Sequence, residues 1–367
     1  MALQDEILAQ SSQTKTDSYA MSIGELINLY RDDELDVHPE FQRVFRWSDS
    51  QKTRLIESIL LGIPIPPIFV AQRKDGVWDV VDGMQRLSTI FQFLGILKDE
   101  KGKLVTPLIL EATKFLPSLG GKTWKAKGTG FTKSQQLYIK RARLDVKIVL
   151  KESDEKSKYE LFMRLNTGGT PLEPQEVRNC LMIMAYPEMY EWIRRLSLIQ
   201  EFTDTTALTE RVISEQYPME LVTRFLAFRT LPDEKLKDVG GDISDYLNDR
   251  LESIHLMTDT QKAIEENAFR GTFKLLWSEV QDDAFKKYDH AKDKFQGGFS
   301  ISGFEAMALG IGFNAQADGT IPQITGVKKK IQTIWNTPNF TSNSGSGVKA
   351  SARIPKIVPM GRKAFSK

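Results

Sequence analysis

The chain has 367 residues, 41% of them apolar and 27% charged. That composition excludes a disordered or fibrous chain and predicts two or three globular domains. The formal net charge is only +2, and the single cysteine, Cys180, excludes an intrachain disulfide and fits a reducing compartment. No apolar run approaches the roughly 18 residues of a membrane span, and Met1–Ala20 lacks a signal-peptide core, so a cytoplasmic protein with no membrane partner is expected.

Residues 1–20 read as a mobile polar arm. A short helix follows, with Ile23, Leu26, Ile27 and Tyr30 on one face, Ser22 as N-cap and Glu25 placed for a capping box. A second helix starts at Ser48, with Gln51 three residues on, and ends at Gly62 before Pro64, Pro66 and Pro67. Ile68–Ala71 and Trp78–Val81 read as two strands joined by a turn at Lys74-Asp75-Gly76. Asp82-Gly83 breaks the second strand, and Leu87, Ile90, Phe91 and Leu94 resume at helical spacing. Residues 82–86 therefore sit on a strand-to-helix junction, where unpaired backbone amides can face an anion.

Residues 98–135 read as irregular, anchored by Trp124 and Phe131. Leu144–Leu150 alternates as a strand, and Ser153 caps a helix to about Leu165. From Pro171 the pattern turns helical, with apolar stripes near 177–196, 211–229, 243–256, 261–279 and 300–313. The expected organisation is the arm (1–20), a mixed α/β domain (21–165), an α-helical domain (166–340) and a basic Ser/Gly-rich tail (341–367). The fold class is α+β.

Charge is unevenly spread. Lys98–Lys147 holds 12 basic and 4 acidic residues, and 9 basic and no acidic residues follow Asp318. Such faces suit an acidic partner such as DNA or a nucleotide, with Lys122, Lys125, Lys127, Lys349 and Arg353 as candidate DNA contacts; a solvated lysine-rich surface is the plain alternative. The histidines, His38, His255 and His290, form no spaced pair, which speaks against structural zinc and a compact His-Asn-His nuclease motif.

Three segments concentrate polar chemistry. Gln42 and Arg43 lie in Pro39-Glu40-Phe41-Gln42-Arg43-Val44-Phe45-Arg46-Trp47, where planar guanidinium groups suit phosphate oxygens; Trp47 could equally be a core anchor. In Asp82-Gly83-Met84-Gln85-Arg86, Gly83 permits a positive φ and close ligand approach. Arg86 can meet phosphate, and Asp82 can hold a metal ion or orient water; an Asp cap with a salt-bridged Arg is the alternative. Asn166-Thr167-Gly168-Gly169, followed by Glu176, Arg178 and Asn179, offers either an anion nest or a helix connection with an internal hydrogen-bond network.

Together these segments, with Ile65-Pro66-Pro67-Ile68 between them and Asn-Thr-Gly-Gly-x-Pro-Leu and Glu-x-Arg-Asn after them, resemble the N-terminal domain family of GmrSD-type, modification-dependent restriction endonucleases, over about residues 21–230. That family is similar to the ParB/sulfiredoxin fold. The resemblance implies a nucleotide- and DNA-handling domain in a prokaryotic restriction or anti-phage system. Asp82, Gln85 and Arg86 would be catalytic, with Asp82 also the metal residue. Gln42, Arg43, Gly83, Asn166, Thr167, Gly168, Gly169 and Arg178 would contact nucleotide phosphates, with Mg²⁺ and a nucleoside triphosphate as cofactors. NTP hydrolysis, nuclease action, or a non-catalytic sensor of nucleotide or modified DNA all remain open, as does a homodimer or a separate effector protein. Met84 stands where glutamine is frequent in the motif. The His-Asn-His nuclease domain that GmrSD-type proteins usually add is not expected in this chain.

Overall fold

A computed structural model describes residues 3, 16–37, 47–73, 75–99, 101–150, 173–345 and 347–366. The chain divides into two compact units, Met1–Leu172 and Glu173–Lys367.

The first unit is built on a mixed five-stranded sheet in the order β1-β5-β3-β4-β2. Its elements are β1 (Thr16–Ser22), α1 (Ile23–Arg31), β2 (Leu35–Asp36), α2 (Asp49–Leu61), β3 (Ile68–Gln72), β4 (Trp78–Asp82), α3 (Met84–Leu94), α4 (Lys133–Arg141) and β5 (Arg143–Val149). β3 pairs antiparallel with β4 and parallel with β5, and β1 pairs antiparallel with β5.

The helix starts follow the sequence. Ser22 Oγ accepts from Glu25 N at 3.1 Å. Ser48 and Gln51 form a reciprocal capping box, and Gly62 closes α2 at φ +66°. Each satisfies donors or acceptors the helix end leaves open. Ile68, Val70, Val80, Val146 and Ile148 are buried, consistent with side chains alternating across a sheet. Trp124 and Phe131 do anchor the irregular stretch, both meeting Phe93 edge-on at 5.6 and 5.1 Å.

Two expectations need correction here. Residues 16–20, placed in the mobile arm, are part of β1, whose Met21 and Ser22 pair with Leu144 and Arg143. The strand is polar because it is an edge, with residues 16–20 exposed. The stretch taken as irregular ends in α4, capped by Thr132 and Gln135.

The second unit is helical: α5 (Pro174–Ala185), α6 (Pro187–Ser197), α7 (Gln200–Thr206), α8 (Glu210–Ser214), α9 (Tyr217–Phe228), α10 (Ile243–His255), α11 (Asp259–Val280), α12 (Ile301–Phe313), α13 (Val327–Ile334), α14 (Pro338–Thr341) and α15 (Ala350–Ala364), with a small β6–β7 hairpin (Lys287–Asp289, Lys294–Gln296). Phe202, Phe225, Phe269, Phe273 and Phe304 form its aromatic core.

The expected basic tail is also corrected. Residues 350–364 form α15, which buries Ile354, Ile357 and Val358. α15 lies against α12 at backbone distance: a Cβ on Gly361 would meet the Ala306 carbonyl, and one on Gly310 would lie 2.6 Å from the Gly361 backbone. Only glycine allows that approach.

Candidate functional site

The Asp82–Arg86 motif occupies a tight junction. β4 delivers Asp82 beside a register irregularity in β3 between Phe69 and Val70. Gly83 turns the chain at φ +94° and is the N-cap of α3. Unlike the starts of α1, α2 and α4, this N-terminus has no side-chain cap, and unlike α1 and α2 it has no acidic residue in its first turn. Its leading N–H groups are therefore left to a ligand or solvent, with the positive end of the helix dipole behind them.

Arg86 is the brace of this junction. Its Nη2 donates to Asp82 Oδ2 at 2.7 Å, and its Nη1 donates to the carbonyls of Pro66 and Pro67, the latter at 3.0 Å. The Arg86 side chain is 11% exposed, whereas that of Asp82 is 41% exposed. Arg86 thus holds the Pro66-Pro67 segment and the carboxylate in register, while one Asp82 oxygen, Oδ1, is not engaged by that bond. Gln85 Oε1 accepts from Trp47 N at 3.4 Å. The amide nitrogen of Gln85 and the hydroxyl of Ser88, one turn on, are buried without a hydrogen-bond partner among the described residues. With the Thr89 hydroxyl they make three unanswered polar groups on one helix, costly unless partners arrive.

Below the junction, Arg73 bridges two strands. Its Nη2 lies 2.8 Å from Asp36 Oδ2, and its Nε donates to Asp79 Oδ2 at 2.8 Å. Burial opposes the charge on Arg73, but the two carboxylates outweigh it and raise its pKa. Sequence reading gave this cluster no role; two carboxylates at strand positions and an arginine just past the end of β3 are its only trace there.

The remaining expected residues divide. Gln42, Arg43, Asn166, Thr167, Gly168 and Gly169 lie outside the described residues. Lys125 and Lys127 are exposed and Lys122 half-buried, in the segment anchored by Trp124. Lys349 is exposed at the start of α15.

Arg178 and Arg353, expected to meet phosphates and DNA, are interior groups. Arg178 is fully buried. Its Nε donates to Asn248 Oδ1 at 3.0 Å, its Nη2 to Ser244 Oγ at 3.0 Å, and its Nη1 to Gln175 Oε1. It also lies 3.6 Å from Glu220. Arg353, 8% exposed, donates to Glu305 Oε2 at 2.6 Å and Oε1 at 2.9 Å. Arg224 joins Glu220 to Glu305, so a buried chain of alternating charge runs from α5 to α15. Arg353 is taken up by a carboxylate, and Arg178 by amide and hydroxyl oxygens with the Glu220 carboxylate nearby; the physical reason is solvation, since a buried cation needs acceptors and counter-charge inside the fold.

Among the described residues no group of three or more His, Cys, Asp or Glu side chains is placed to hold a metal. No helix among them is long and apolar enough to cross a membrane.

Residues 23–183 match the family described as GmrSD restriction endonuclease, N-terminal domain. The match covers α1 to β5 of the first unit and most of α5 in the second. No curated protein matches the chain, and no solved structure does.

Proposed function

On the footing that residues 23–183 are a GmrSD-type N-terminal domain, we propose that the Asp82–Arg86 junction binds and hydrolyses a nucleoside triphosphate in a DNA-directed protein of a restriction-type defence system. The observation that carries this reading is the uncapped, acid-free N-terminus of α3, set beside an exposed carboxylate. A helix start left open in this way is a phosphate cradle.

Within it the side chains take separate roles. The backbone amides after Gly83 receive phosphate oxygens. The Gln85 amide nitrogen, which has no partner among the described residues, supplies a further donor. Asp82 orients a water for attack through the oxygen that Arg86 leaves open. Arg86 is a positioning residue, since both of its terminal nitrogens are already bound. Gln42, Arg43, Asn166, Thr167, Gly168 and Gly169 are proposed to contact the remaining phosphates.

Mg²⁺ fits this donor set. The ion commonly takes one or two carboxylates and completes its octahedron with phosphate oxygens and water. Asp82 is the protein group that would hold it, and the ion would neutralise phosphate charge.

The i, i+4 pairing of Asp82 with Arg86 also suits a sensor that binds nucleotide without turnover and recruits a separate effector. Thermal-shift titration with ATP, GTP, CTP and UTP, with and without Mg²⁺, tests binding. A ligand at a hundred times its Kd adds about 2.7 kcal/mol. A shift with at least one nucleotide, lost in Asp82→Ala, is expected; no shift with any of them refutes the site. Phosphate release then separates hydrolysis from sensing.

A further inference from the structure

A second feature of the first unit lies outside the Asp82 junction. A groove of about 580 Å³ runs between the end of α2 and α4. Such a volume lies within the range of small-ligand sites. Ile59, Ile65, Leu137 and Leu144 give it an apolar lining, with Ile59 and Leu144 buried. Ile63 and Tyr138 line it too, yet stay 46% and 51% exposed. An aromatic ring half in solvent beside a groove that is part apolar and part polar is open to a planar partner.

Charge narrows the partner. Arg141 and Arg143 line the same groove, and both are exposed. Neither guanidinium group has a salt-bridge or hydrogen-bond partner among the described residues, in contrast with Arg178, Arg224 and Arg353. Among the described residues no carboxylate lines the groove. α4 itself carries Lys133, Lys140 and Arg141 and no acidic residue. A ligand that suits all of this has a flat, weakly polar body and anionic links on either side. A nucleotide within a strand has both, and its base is free to enter only when unstacked.

We propose that the α2–α4 groove holds one unstacked base of a single-stranded nucleic acid, with Tyr138 as its stacking platform and Arg141 and Arg143 on the flanking phosphates. Base–aromatic stacking over a cationic track is the usual physics of strand binding. The groove is separate from the nucleotide site but shares a wall with it. Ile63, Pro64 and Ile65 line the groove, and the next two residues, Pro66 and Pro67, give their carbonyls to Arg86.

The test is fluorescence anisotropy of the full chain with one labelled oligonucleotide, offered as a deoxy strand, as a ribo strand and as the deoxy strand annealed to its complement. Tighter binding of a single strand than of the duplex is expected, and the two strand chemistries identify the source. Tyr138→Ala should weaken strand binding by roughly tenfold or more, and Tyr138→Phe should retain it. Arg141→Ala/Arg143→Ala should flatten the salt dependence of log K by about 1.4, the release expected for two phosphate contacts on a single strand. Asp82→Ala should leave strand affinity unchanged, so a failure of the triphosphate site and a failure of the groove read out separately. Wild-type strand affinity in Tyr138→Ala, equal losses in Tyr138→Phe and Tyr138→Ala, or loss of strand binding in Asp82→Ala would each overturn the assignment. All three positions are at least half-exposed or polar, and far-UV circular dichroism of each variant shows whether the fold is kept.

Discussion

Replacing Gly83 by alanine tests the geometry of the motif most directly. At φ +94° any L side chain is strained, by roughly 1–2 kcal/mol. The new Cβ would also lie 2.4 Å from Ile68 Cδ1 and 3.3 Å from Arg86 Cζ. Ile68 is fully buried, so its methyl has nowhere costless to go, and forced repacking of this kind costs about 1–3 kcal/mol. Gly83→Ala should therefore lose about 2–5 kcal/mol from the first unit. Ile68→Val deletes the very methyl that clashes, at a cost of about 0.5–1.5 kcal/mol alone. The double variant Gly83→Ala/Ile68→Val should be more stable than the sum of the singles implies, with a coupling of about 1–3 kcal/mol. Hydrogen exchange in peptides spanning β4 and α3 across a urea series reports the first unit apart from the second. Strict additivity, or a Gly83→Ala protein as stable as wild type, refutes the argument.

Other perturbations follow from the same structure. Burial pushes the Glu176 carboxyl up to about 7, helped by the nearby Glu173 and Glu215 charges and opposed by a hydrogen bond from the Glu173 N–H. A raised carboxyl favours the protonated form in the folded state, so stability is present in acid and is lost as pH climbs from the ordinary carboxylate range to about 7. The loss is roughly 3 kcal/mol; Glu176→Gln should remove that slope and be the more stable protein at alkaline pH, as urea titrations across the window would record. Glu305 is fully buried between Arg224 and Arg353, and Glu305→Gln leaves two guanidinium groups facing each other. That should cost about 3–5 kcal/mol in chemical denaturation, and adding Arg353→Met should recover part of it; a deeper loss in the double variant would contradict the pairing.

Much of the frame is legible because it rests on local chemistry. Ser48 with Gln51, Gly62, and the Asp82-Gly83 break each act within a few residues, so the chain declares them. The long-range features are hidden. β1 is a polar edge whose partner lies more than a hundred residues away, so alternation and hydrophobicity give it no signature. α15 contains Pro355 and Pro359, which ordinarily end a helix, and its polar approach disguises it as a tail. The candidate site divides in the same manner. That residues 82–86 form a strand-to-helix junction follows from glycine placement and apolar spacing. Whether an arginine serves a phosphate or a carboxylate does not, because Arg86, Arg178 and Arg353 differ only in what tertiary packing places beside them. The Gln85 nitrogen, left without a partner among the described residues, is invisible until the fold is known.

The family match and the structural division do not share a border. The match ends at residue 183, while the second unit begins at residue 173. The overlap is Glu173 and the first ten residues of α5, among which Val177, Arg178 and Met182 are interior to the helical unit. A hybrid protein joined at the end of the family segment would therefore carry off a piece of the helical unit's core and a cation whose counter-charge stays behind. Recombination that respects packing has to cut before Glu173, ahead of the Glu-x-Arg-Asn motif. That motif lies inside the family match by sequence and inside the helical unit by packing, so the stretch that matches the family is not itself a unit that can be exchanged whole.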